Sequence, residues 1–136
     1  MRILNILLLS LVPGMMAGQH LQELTWKNRV LIVHVQEASP EWPAQQNLWR
    51  SNADGMAERD LVVGIIQGDT VYWPDCKELA RPYLDQFRIS SEEFCVLLIG
   101  KDGGEKLRTG TVLPVEKLYA VIDAMPMRRQ EMRRKD

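Results

Sequence analysis

Val30-Leu31-Ile32-Val33-His34-Val35 is an almost unbroken apolar run, rich in β-branched side chains and bounded by polar residues on both sides. A run this short that does not alternate polar with apolar reads as a strand covered on both faces, the kind found inside a parallel or mixed sheet. Leu61 to Ile66 and Phe94 to Ile99 have the same character and supply its neighbours. Between the first two runs, Ser39 and Pro40 read as the N-cap and first residue of a helix reaching to about Glu58, with Trp42, Leu48 and Trp49 on it. Asn52 and Gly55 weaken its far end. A strand, a helix and a strand in this order form a right-handed crossover, so the first two strands should run parallel.

The remaining elements follow outward. Gly68 and Asp69 close the second run, and Thr70 to Trp73 reads as a short strand. Asp75, followed three residues on by Glu78, has the spacing of a capping box and predicts a helix from about Cys76 to Phe87, with Leu79, Tyr83, Leu84 and Phe87 on its apolar face. Lys101-Asp102-Gly103-Gly104 joins Phe94–Ile99 to a strand over 106–111, because Asp-Gly between two strands favours a hairpin. Pro114 opens a last helix in which Val115, Leu118, Ile122 and Met125 recur at helical spacing. Pro126 should end or kink that helix and leave a basic tail.

The chain has 136 residues, a formal net charge of −1, and nearly half of its residues apolar. That profile fits one folded domain over residues 19–136 and excludes a disordered chain. Arg2, the apolar run from Ile3 to Val12, and the small residues up to Ala17 and Gly18 have the layout of a secretory signal peptide, with cleavage expected near Ala17 or Gly18. The run is well short of the roughly 20 residues that cross a bilayer as a helix, so no lasting transmembrane segment is expected. The expected home is therefore periplasmic or secreted. There the two cysteines, Cys76 and Cys95, could form a disulfide or remain free, and free thiols are the adopted reading.

Strand, helix, strand, helix, hairpin, helix is the order of a thioredoxin-like fold: α/β, three layers, with a central mixed sheet of about four strands. Such folds keep a reactive cysteine just after the first core strand, at a helix N-terminus that favours the thiolate. This chain has Ser39-Pro40-Glu41-Trp42 there, with no Cys-x-x-Cys.

Four stretches are more specific: Trp26-Lys27-Asn28-Arg29-Val30-Leu31; Arg59-Asp60-Leu61; Leu98 to Arg108, with Gly100-Lys101-Asp102-Gly103-Gly104 at its centre; and Ile122 to Met132, with Met125-Pro126-Met127-Arg128-Arg129 inside it. Together they resemble the bacterial branch of the DUDES group, a thioredoxin-like or peroxiredoxin-like domain also found beside Sushi repeats and in animal matrix proteins. The resemblance spans nearly all of the chain after the leader. It implies a fold and an extracytoplasmic home, and it brings no established activity.

The candidate chemistry is sparse. Cys76, at the expected helix start, is the candidate thiol, although Asp75 and Glu78 oppose its ionisation. Lys101, Asp102, Lys106 and Arg108 on the hairpin, with Arg128 and Arg129 in the tail, form a candidate surface for an anion or envelope polymer, each also readable as a solvated turn or helix end. Two scattered histidines and two scattered cysteines offer no spacing of metal ligands, so neither a metal nor a cofactor is expected. A mildly acidic exported domain does not point to nucleic acid. The expected function is a non-catalytic binding or structural module acting on an unknown protein or envelope component. A single-cysteine thiol oxidoreductase or peroxidase using Cys76 is the alternative.

Overall fold

The computed structural model describes residues 18–135. The segment read as a signal peptide lies outside the described residues, apart from Gly18. The described chain runs α1 (Gln19–Leu24), β1 (Arg29–Val35), α2 (Glu41–Ser51), α3 (Ala53–Glu58), β2 (Leu61–Gln67), β3 (Thr70–Tyr72), β4 (Lys77–Leu79), α4 (Arg81–Phe87), β5 (Cys95–Ile99), β6 (Glu105–Thr109), α5 (Val115–Asp123) and α6 (Pro126–Lys135).

One open mixed sheet has the order β4-β3-β2-β1-β5-β6. β1 and β2 pair in parallel, from Arg29 opposite Leu61 to Val35 opposite Gln67, and the other pairings are antiparallel. The run that opened the sequence reading lies at the centre, buried at every position. Its side chains alternate between two cores. Val30 and Ile32 join Leu97, Ile99, Tyr83 and Phe87 under α1 and α4. Leu31, Val33 and Val35 join Leu98, Trp49, Leu118 and Ile122 under α2, α3 and α5. Helices therefore cover both faces, which is why the strand shows no polar alternation.

Three expectations need correction. The sheet has six strands rather than about four, because residues 77–79 pair with β3 instead of opening a helix. Glu78 does not cap: its Oε1 accepts hydrogen bonds from Trp73 Nε1 at 2.8 Å and Tyr83 Oη at 2.7 Å. Two buried donors thus outbid the local capping pattern, and α4 begins at Arg81, with Pro82 in its first turn. The first long helix breaks at Asn52 into α2 and α3. As expected, the helix opened by Pro114 ends just before Pro126, at Asp123; Pro126 then opens α6, where a proline lacking an N–H is suited to the first turn, so the basic tail is helical.

Candidate functional site

Arg29, the first residue of β1, sits where the amino end of the central strand meets the carboxyl end of β5. Its side chain is 1% exposed. A guanidinium so deep needs partners. Its Nη1 donates to the Arg59 carbonyl at 3.0 Å, and its two terminal nitrogens reach the Glu131 carboxylate at 3.2 Å each. Glu131 comes from α6 and also accepts from Lys101 Nζ at 2.7 Å, while Lys101 reaches Asp60 at 2.9 Å.

A second half adjoins the first. Arg128, also 1% exposed, donates to Glu58 at 2.6 Å and to Asp123 at 3.0 Å. Arg59 holds Asp123 through both Nε and Nη2 and lies 3.6 Å from the centre of the Tyr119 ring. Four cations and four carboxylates from β1, α3, α5, α6 and the α3–β2 and β5–β6 turns thus balance one another at one end of the sheet.

These partners shift the titrations. Burial works against ionised Glu131 and Asp123, but the Arg29 and Lys101 hydrogen bonds on the first, and those of Arg59 and Arg128 on the second, prevail and hold both below the ordinary carboxylate range. Arg128 likewise lowers Glu58. A carboxylate whose folded pKa lies below its unfolded value of about 4 contributes stability that is present above that value and lost as pH falls through the folded one. The urea midpoint is therefore expected to fall steeply below about pH 4, and Glu131→Gln should flatten that acid limb.

Next to this network is a cleft of about 250 Å³ lined by Trp26, Arg29, Lys101, Asp102, Lys106 and the Met125–Met127 segment. Two features set it apart. Trp26 is 65% exposed with φ at +72°, a left-handed conformation that costs a non-glycine residue about 1–2 kcal/mol; its backbone N–H donates to the Lys101 carbonyl at 2.6 Å. In addition, the buried Nε of Arg29 has no hydrogen-bond partner. Backbone strain concentrates where function over-determines a structure, and an orphaned buried donor asks for an explanation.

All four stretches singled out in the sequence meet here. A family model described as a domain of unknown function (DUF4174) matches residues 20–131. The chain belongs to the DUF4174 family. In this DUF4174 domain the matched span closes at Glu131, the residue that neutralises Arg29 across the sheet end. No curated protein and no solved structure matches the chain significantly.

The candidate residues fare unevenly. Lys101 is 9% exposed and consumed by Asp60 and Glu131, and Arg128 is buried in ion pairs, so neither can serve as a free surface cation. Asp102 and Lys106 pair at 2.9 Å on the rim of the cleft. Arg108 lies on β6, bound to Glu105 and to the carbonyls of Phe87 and Arg88. Arg129 is exposed on α6.

Cys76 is not at a helix N-terminus. It is exposed in the turn between β3 and β4, and partial desolvation with the charges of Asp75 and Glu78 pushes its thiol up. Both cysteines are free. A separate cleft of about 560 Å³ opens beyond the carboxyl end of β1, where a thioredoxin plan would keep its redox pair. It contains Ser39, hydrogen-bonded to Glu41, and the buried Cys95, whose thiol burial pushes up despite the nearby Arg108. Among the described residues no second thiol lines it. Sequence reasoning passed over Trp26 and Arg29 as site residues; the signal available was their place inside the resemblance stretches.

Proposed function

We propose that this chain is an exported thioredoxin-fold module of the DUDES type that works by binding, without redox catalysis, through the cleft beside Trp26. The observation that carries the reading is the pairing of a strained, exposed tryptophan with a buried arginine N–H that has no partner. Because Lys101 and Lys106 are already paired with Asp60, Glu131 and Asp102, what the cleft offers is the partnerless Arg29 Nε–H beside Trp26, Met125 and Met127, which suits an apolar group carrying one acceptor, such as a carboxylate in an acidic segment of a partner protein. The order of the elements, the helices on both faces and the signal-like leader support the fold and address.

Titration of isotope-labelled protein with acetylated acidic hexapeptides carrying one leucine or phenylalanine tests it. The expected result is perturbation of the Trp26 indole and the Arg29 side chain. Trp26→Gly is expected to weaken binding at least tenfold while leaving stability unchanged or slightly raised, since glycine takes a positive φ freely. Peptides that perturb only other surfaces, or affinity untouched by Trp26→Gly, would refute the cleft as the site. Alkylation at neutral pH checks the absence of redox chemistry: Cys76 and Cys95 should both label more slowly than a free thiol of ordinary pKa, about 8.5, and a fast-labelling thiolate at either would sink the non-redox reading.

A further inference from the structure

α1 and the β3–β4 turn bring His20 to Asp75 and Cys76, neighbours in sequence that lie 55 and 56 residues further along the chain. Ligand atoms of His20, Asp75 and Cys76 all lie within 4.8 Å of one another. We propose that they form a divalent transition-metal site, with zinc as the best match to one imidazole nitrogen, one thiolate and one carboxylate.

The orientation of the imidazole is the main argument. Its Nε2 faces Asp75 Oδ1 at 3.7 Å, while its Nδ1 faces Glu23 Oε1 at 3.5 Å. A ligating histidine nearly always donates its other N–H to a carboxylate, which fixes the tautomer and the ring plane. Glu23 occupies that outer position, leaving Nε2 for the metal. The ring is steadied against Trp73, with centroids 4.9 Å apart. Its backbone N–H donates to Glu78 Oε2 at 3.3 Å.

The other two ligands come from a constrained turn. Trp73 N–H donates to the Cys76 carbonyl at 2.8 Å, closing Trp73-Pro74-Asp75-Cys76 so that consecutive residues reach the same ion. Tetrahedral zinc with bonds of about 2.0–2.3 Å places its ligand atoms roughly 3.5 Å apart. The observed spacing needs only side-chain rotation in the exposed Asp75 and Cys76. Three protein ligands leave a fourth position open to water or an external donor, the pattern of a reactive or exchangeable site rather than a closed structural one. The site lies at the β4 edge of the sheet, with β3 and β2 between it and β1, and it shares no residue with the cleft beside Trp26.

The full chain titrated with Co²⁺, and then with Zn²⁺ in competition, tests the proposal. One equivalent of Co²⁺ is expected to give a thiolate-to-cobalt charge-transfer band that Zn²⁺ abolishes. Cys76→Ser should remove the band, and Cys95→Ser should leave it intact. His20→Gln and Asp75→Asn should each weaken zinc binding at least tenfold, and Glu23→Gln by about tenfold, the size of an outer-shell loss. Cys76 is exposed, so its serine variant tests the site without a folding penalty. Absence of the charge-transfer band, or stoichiometric zinc binding indifferent to both Cys76→Ser and Asp75→Asn, would overturn it.

Discussion

Glu131→Ala is expected to destabilise the domain by about 3–5 kcal/mol, the range observed when one partner of a buried ion pair is removed. For a domain of this size, that is a fall in Tm of roughly 10–20 °C. The magnitude follows from what remains: Arg29 at 1% exposure and Lys101 at 9% would keep their charges in a low-dielectric site with their shared carboxylate gone. A second variant separates a lost attraction from a stranded charge. Converting Arg29, Lys101 and Glu131 together to methionine, methionine and leucine should recover most of the loss, since well-packed apolar replacements of buried ion networks are often neutral. Thermal melts at pH 7 check both. If the single variant melts within 3 °C of the parent, the network is only surface decoration.

Glu78→Ala is expected to cost about 3 kcal/mol, and Glu78→Gln about 1 kcal/mol. Trp73 Nε1 and Tyr83 Oη both end on Glu78 Oε1, and Leu21 N–H in turn donates to Tyr83 Oη at 3.3 Å. Alanine leaves two buried donors unsatisfied and unties α1 from the β3–β4 hairpin and α4. Glutamine keeps an oxygen for Trp73 and Tyr83 and loses the charge and the Oε2 that accepts from the His20 N–H. Burial, and then the Glu78 carboxylate, push the Tyr83 phenol far up, so it remains a donor at every physiological pH. Urea unfolding followed through Trp73 emission reads the difference. Equal losses in the two variants would mean that the shared acceptor is not what holds these elements.

The central strands were legible because burial on both faces leaves a continuous apolar run, as Val30–Val35 and Phe94–Ile99 show. The hairpin was legible because Gly103, at φ +87°, has the freedom its turn requires. What misled was local chemistry competing with distant partners. Asp75 and Glu78 had the spacing of a cap, but the donors on Trp73 and Tyr83 decided where Glu78 points. The tail looked like solvated charge because its partners, Glu58, Asp123 and Arg29, are up to 102 residues away. Likewise, His20 and Cys76 looked scattered because nothing in their spacing announces that α1 lies against the β3–β4 turn. The resemblance stretches lie far apart in sequence, and their chemistry emerged only when the fold joined them at one end of the sheet.

The ion pair between residues 29 and 131 also has a temporal meaning. A chain made from its amino terminus at about 5–20 residues per second exposes Arg29 several seconds before Glu131 exists. Until then the middle strand holds a guanidinium with no counter-charge, and closing the sheet over it is unfavourable. Closure of the sheet end over Arg29 therefore waits on α6, which brings Glu131 to it from 102 residues along the chain.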